Sequence, residues 1–323
     1  MSRRADVVIV GGGLLGLATA HALTGRAEVV VLEAETVGHD HGGSHGPSRI
    51  FRLGYADPAY VQLAQQARRA WDTLDDTLLL PTPQLSFGPG ADAVFDAMTA
   101  VGAVVERRTA EEVDEQFPMF AGHGPAVFEP ESAVIAADRA LVALAAGVDV
   151  REHTRVTAVR SDGVDTVDGA IAAGTVVVCA GPWSKVLLPQ LPTRPTLEHA
   201  AYIATSELAP IFIDFRDPAT YGLPTPDEGT YKIALHHDGP DLNLDAPFAP
   251  DARAVRRLNE AVERWMPGQP VAHIDVCPYD NTIDESFIVE RVDGIVVGAG
   301  TSGHAFKFGP VLGEQLAALV LEA

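Results

Sequence analysis

The 323-residue sequence predicts an α/β fold in which a parallel sheet, begun at the N-terminus and completed at the C-terminus, is interleaved with an α+β region containing a mostly antiparallel sheet. Three observations carry this. Val7, Val8, Ile9 and Val10 form a continuous β-branched run, the pattern of a parallel strand covered on both faces. A glycine turn, an alanine-rich segment and a second apolar run from Val29 to Leu32 follow, so the chain opens as strand, helix, strand. Near the other end, "GIVVGAG" supplies a strand expected to rejoin that sheet at Ile295–Val297. It runs into a helix from about Pro310, a residue suited to a first helical turn.

The opening unit carries chemistry as well as shape. Gly11, Gly13 and Gly16 fit G-x-G-x-x-G. The first permits the tight turn, the second lets the backbone approach a pyrophosphate, and the third lets helix pack closely on strand. The helix N-terminus, with free N–H groups and the positive end of its dipole, favours an anion there. The second strand ends in Glu33, about 20 residues past the first glycine, where a carboxylate accepts hydrogen bonds from ribose hydroxyls. A Rossmann-like dinucleotide site is therefore expected, and this motif alone does not choose between NAD and FAD. After Glu33 the chain enters "TVGHDHGGSHGPSRIFRLGY" instead of a regular second βα unit, which suits the longer reach of a flavin.

Arg49 and Arg52, three apart, would by themselves read as a solvated basic face. "TVVVCAGPWS" reads as an apolar strand closing before Gly181. "LPQLPTRPTLEHAAYIAT" reads as a proline-rich crossing, where helices cannot continue. "YGLPTPDEGTYKIALHHDGP" reads as one strand with Lys232 and His236 on a shared face. Lys307 stands between Phe306 and Phe308, a setting in which lysines ordinarily snorkel to the surface. His39, His41 and His45 lie in a glycine loop without paired acids or cysteines, so no metal site is expected. Two cysteines, Cys179 and Cys277, make no disulfide framework. A net charge of −21 disfavours nucleic acid and anionic membrane surfaces as partners. With no signal-peptide pattern and no run of about 18 apolar residues, a cytoplasmic protein is expected.

Three segments carry a resemblance. "GSHGPSRIFRLGY" (43–55), "CPYDNTIDESFIVE" (277–290) and "GAGTSGHAFKFGPVLGEQLAAL" (298–319) together resemble the monomeric sarcosine oxidase and N-methyl-amino-acid oxidase family, FAD enzymes of the D-amino-acid-oxidase superfamily. The resemblance implies an FAD-binding domain from residues 1–80, 136–190 and 288–323, and a substrate domain from 81–135 and 191–287. It implies that Cys277, followed two residues later by Tyr279, carries the flavin as an 8α-S-cysteinyl thioether. That chemistry calls for a partly exposed thiol near positive charge. Ser44, His45, Arg49, Val156, Gly181, Gly303 and Lys307 are then further cofactor contacts, with the role of His45 left open. Arg52 and Lys307 would clamp a substrate carboxylate, Lys232 would activate O2 electrostatically, and His236 and Tyr279 would line the substrate pocket. Cys179 would be inert packing.

The implied reaction is oxidation of a secondary or N-methyl amino acid to an imine by a monomer, with O2 reduced to hydrogen peroxide. The chain is shorter than is usual for that family, so a bulkier or cyclic amino acid fits as well as sarcosine. Three rivals share parts of the pattern. A flavin dehydrogenase would lack a use for Lys232, and an oxidase with dissociable FAD would lack one for Cys277. A non-catalytic flavin-binding subunit would have no reason to keep the pocket cations.

Overall fold

The computed structural model describes residues 4–205, 209–226 and 229–322. The valine run forms the strand Arg4–Val10 inside an eight-stranded sheet. It pairs in parallel with Val29–Leu32 on one side and Gly169–Val178 on the other, with Val7 opposite Val29 and Thr175. Val8 and Ile9 are fully buried on opposite faces, which explains a β-branched run without polar alternation. Asp149–Arg151 extends the parallel set, and Ile295–Ala299 joins it beside Gly169–Val178, where the C-terminal strand was expected. The helices Leu14–Ala22 and Gly309–Leu321 pack together so closely that a side chain on Gly313 would meet the Ala18 backbone at 2.6 Å.

The second sheet runs from Val271–Asn281 through Arg194–Ala204, Thr230–Leu235, Thr220–Pro224, Ile211–Asp214, Gln84–Phe87 and Ala126–Glu129 to Glu106–Arg108. Only the pair Ile211–Asp214 with Gln84–Phe87 is parallel, so this sheet is mostly antiparallel, as the sequence predicts. The helix Ala252–Trp265 packs on it, capped by Asp251, which accepts from the amides of Arg253 and Ala254. A small third sheet sets Ser48–Phe51 and Leu79–Pro81 against Ala133–Ala136. No helix among the described residues is long and apolar enough to cross a membrane.

Two local expectations are corrected. The proline-rich crossing ends at residue 193, because Arg194–Ala204 is a long strand paired on both sides. Pro195 sits near its start, where a strand tolerates proline. The segment read as one strand is a hairpin, Thr220–Pro224 and Thr230–Leu235. Its connection spans residues 227–228, which lie outside the described residues. The turn signal was present in Pro224, Pro226 and Gly229. Lys232 therefore lies inside a strand and His236 just past its end.

The helix Pro58–Leu74 packs against the C-terminal segment. Its Trp71 is fully buried, donates its indole N–H to the Lys307 carbonyl at 2.7 Å, and stacks on Phe306. Trp71→Ala is expected to lower unfolding free energy by about 3–5 kcal/mol through the cavity it opens. Trp71→Phe, which keeps most of the packing but orphans a buried carbonyl, is expected to cost about 1–3 kcal/mol. Urea unfolding of both variants measures the two contributions.

Candidate active site

A cavity of about 800 Å³ opens at the carboxyl ends of the parallel strands, where Val10, Glu33, Ala180 and Gly298 line it, and the antiparallel sheet supplies its other wall. The crevice beyond such strand ends is where open α/β sheets bind ligands. Gly11 has φ +105°, and a side chain on it would stand 2.5 Å from the Cys179 carbonyl. A side chain on Gly16 would run into the Gly11 carbonyl, so only glycine lets this helix start against the turn. Gly16 is the one expected cofactor residue that does not line the cavity; it acts through that packing. Glu33 is buried and accepts the Gly12 and Glu35 amides at 2.7 and 2.8 Å. Ser44 Oγ accepts the Leu14 amide at the helix N-terminus, at 3.0 Å. Gly13, Val156 and Gly181 line the same cavity. A glycine cradle under a helix N-terminus, with a buried carboxylate beside it, fits a dinucleotide.

Cys277 stands on Val271–Asn281, with its thiol 3.7 Å from the Gly43 carbonyl. It opens onto the cavity and is only partly buried. Burial pushes its pKa up, against the pull of the Arg49 and Lys232 charges. Lys232 is buried, which brings its pKa down to about 8 with help from Arg49. Arg49 donates to the carbonyls of Ser48, Gly43 and His45 at 2.8, 3.0 and 2.6 Å and so ties the glycine–histidine loop to its strand. His45 is held between the Gly42 carbonyl and Asp275 Oδ2 at 2.5 and 3.1 Å. The loop that shows no partnered acid in sequence thus gains one from 230 residues away.

Arg52 donates to the Gly54 carbonyl and lies 4.3 Å over the Tyr55 ring. Lys307 is buried, not snorkelling: its ammonium donates to the Tyr55 hydroxyl at 2.9 Å and the His304 carbonyl at 2.8 Å. Burial first, and then Arg52, hold its pKa well below the usual lysine range. Tyr279 is buried with its hydroxyl 3.5 Å from that of Tyr221, and any side chain on Gly303 would enter its ring. His236 faces Tyr279 edge-on. Cys179 is buried and its thiol is pushed up to about 12, as suits packing.

Sequence reasoning missed Glu129, Tyr55 and His304. Glu129 is 1% exposed; it accepts the Gly54 amide at 2.9 Å and the Gln84 amide at 2.7 Å, and the Arg52 charge opposes the upward push of burial on its pKa. It anchors the turn bearing Arg52 from a strand 75 residues away. No local pattern marks it.

The sequence pattern of the FAD dependent oxidoreductase family (DAO) matches residues 6–319. The chain belongs to this family. N-methyl-L-tryptophan oxidases of Escherichia coli and Shigella boydii are 30% identical to it, over 96% of this chain and 93% of theirs. Among solved structures, NikD, an unusual amino acid oxidase essential for nikkomycin biosynthesis, superposes with a TM-score of 0.87 at 23% identity, covering 99% of this chain and 95% of that one. L-proline dehydrogenase from P. horikoshii gives 0.88 at 21% identity, covering 100% and 94%. These likenesses establish the fold.

Two outcomes follow for the buried charges. Glu129→Ala leaves Arg52 and the Gly54 amide uncompensated and is expected to cost about 3–5 kcal/mol in urea unfolding. Lys232 has a folded pKa near 8 against 10.5 when exposed, so between these values the unfolded chain binds more protons. Its protonation therefore destabilises the fold fully below pH 8, and the penalty fades as pH rises to 10.5. Lys232→Met is expected to stabilise the protein most at pH 7 and progressively less towards pH 10, read from urea midpoints of both proteins.

Proposed function

We propose that the protein oxidises a secondary or N-methylated amino acid to its imine while reducing O2 to hydrogen peroxide, with FAD carried covalently on Cys277. The observation that carries this is the gathering of Arg49, Arg52, Lys232 and Lys307 around one cavity with Cys277 and Tyr279, in a chain of net charge −21. The buried carboxylates of the same lining, Glu33 and Glu198, are taken up by backbone amides, which leaves these cations for anions: a dinucleotide and an amino-acid carboxylate. The names of the 30%-identical relatives support an N-methyl amino acid. Residues 1–80, 136–190 and 288–323 form the FAD-binding part of this proposal, and 81–135 and 191–287 the substrate part.

The flavin, when bound, supplies the hydride acceptor and the route of electrons to O2. The chain's own groups hold, orient and polarise. Gly11, Gly13 and the helix N-terminus receive the pyrophosphate, and Glu33 the ribose. Arg52 and Lys307 hold the substrate carboxylate. Lys307 is already oriented by Tyr55 and His304, so little side-chain freedom remains to be lost on binding. The same cations disfavour an ammonium and so favour the neutral amine, the form with a lone pair. His236 and Tyr279 shape the pocket. Lys232 supplies charge for oxygen reduction, which favours an oxidase over a dehydrogenase. Arg49 and Lys232 favour the Cys277 thiolate, the form that attaches to the cofactor. A cytoplasmic monomer completes the proposal.

Purified protein supplied with N-methyl-L-amino acids is expected to release hydrogen peroxide in a peroxidase-coupled assay. Acid precipitation is expected to give a yellow pellet with one FAD of added mass, lost in Cys277→Ala. Arg52→Met is expected to raise KM about a hundredfold, the loss of a desolvated charge pair. Flavin left in the supernatant would overturn the tether, and dye reduction without peroxide would favour the dehydrogenase.

A further inference from the structure

His236 does more than wall the cavity. Its Nε2 lies 3.9 Å from one Glu285 carboxylate oxygen, and Nε2 of His237 lies 3.8 Å from the other. One ligand atom from each of the three residues falls within 4.8 Å of the other two. Successive side chains on an extended strand point to opposite sides. Here they do not, because His237 adopts φ +57° and turns its ring beside that of His236, with centroids 4.0 Å apart at 81°. Glu285, in the loop between Val271–Asn281 and Ile288–Val292, also has positive φ, at +60°. Two segments distant in sequence thus bring their donors to one point. The three side chains are 32%, 28% and 52% exposed, open to an ion from solvent, while His236 also lines the cavity.

We propose that His236, His237 and Glu285 bind a divalent transition-metal ion of the Zn²⁺ type at the mouth of the cavity, and that an ion bound there competes with substrate. Two imidazoles and one carboxylate suit a borderline-soft ion and not Ca²⁺ or Mg²⁺, which take oxygen donors. Ligand bonds of about 2.0–2.2 Å require the donors to close by roughly 1 Å, which one strand end and one loop allow. Water takes the remaining position. The loop is steadied from behind, since His304 Nε2 bonds the Glu285 carbonyl at 2.9 Å. The Arg52 charge also acts on His236 and opposes a cation, so micromolar rather than nanomolar binding is expected. The metal site stands independently of the proposed oxidation; the competition rests on it, because that proposal puts His236 in the substrate pocket.

Calorimetric titration of ZnCl2 into the purified holoenzyme, in buffer free of chelator and phosphate, is the test. One Zn²⁺ per chain is expected, with affinity falling at least about tenfold in both His237→Ala and Glu285→Gln. Flavin absorbance identifies correctly folded variants. Zn²⁺ is also expected to raise the wild-type KM for an N-methyl-L-amino acid with kcat unchanged, and to leave the KM of the two variants unmoved. No binding, or equal affinity in wild type and both variants, overturns the site and places any zinc elsewhere, such as the His39–His41 loop. Binding that the variants abolish, without an effect on KM, keeps the site and overturns the competition. Because titration needs no turnover, an inactive enzyme would count against the proposed function alone.

Discussion

The arrangement depends on one costly feature: positive charge held in a cavity that protein largely shields from water. Removing an ammonium from water disfavours its charged form, and both Lys232 and Lys307 show this in depressed pKa values. A core built only for stability would not collect four cations around one space. An anion that enters such a space interacts with charges already desolvated and already aimed, so attraction is stronger than at an open surface. The instability of the empty arrangement and the affinity of the filled one have the same electrostatic origin.

What keeps these cations from turning away is a scaffold of neutral contacts behind them. Lys307 is fixed at its backbone by Trp71 and at its tip by Tyr55 and the His304 carbonyl. Tyr55, Tyr60, Phe287, His304 and Phe308 form a mutually contacting aromatic cluster that gives the ammonium little room. Arg49 is held by three carbonyls, and Arg52 lies on a turn whose amide is bonded to buried Glu129. Most of these supports are backbone groups or neutral rings. They orient a charge without cancelling it; the buried carboxylate of Glu129, which acts on Arg52, is the exception.

This division also explains what could be read from the sequence. The parallel sheet, the glycine turn and Glu33 were legible because their chemistry is local: strand periodicity and a ligand-binding turn lie within a few consecutive residues. The cavity residues became legible through three segments that resemble a known family, not through any pattern of their own. Glu129, Asp275 and Glu285 stayed hidden, since each meets its partner only after the chain has folded. The hairpin at Thr220–Leu235 is marked in the sequence only by Pro224, Pro226 and Gly229, within a stretch that otherwise reads as one strand. The strand Arg194–Ala204 is masked in the sequence by Pro189, Pro192 and Pro195, of which only Pro195 lies in the strand, near its start.

The placement of Cys277 follows from the same electrostatics. Burial alone keeps a thiol protonated and unreactive, as it does Cys179, whose pKa is pushed to about 12. Cys277 is only partly buried and opens onto the cavity, and Arg49 and Lys232 act on it in the other direction. The two cysteines thus differ both in burial and in their neighbouring charges. Arg49 and Lys232 thus offset part of the cost that burial places on a Cys277 thiolate. In the proposed function the same charges serve both the attachment of the cofactor and the chemistry that follows, so a substitution at Arg49 or Lys232 should disturb both together.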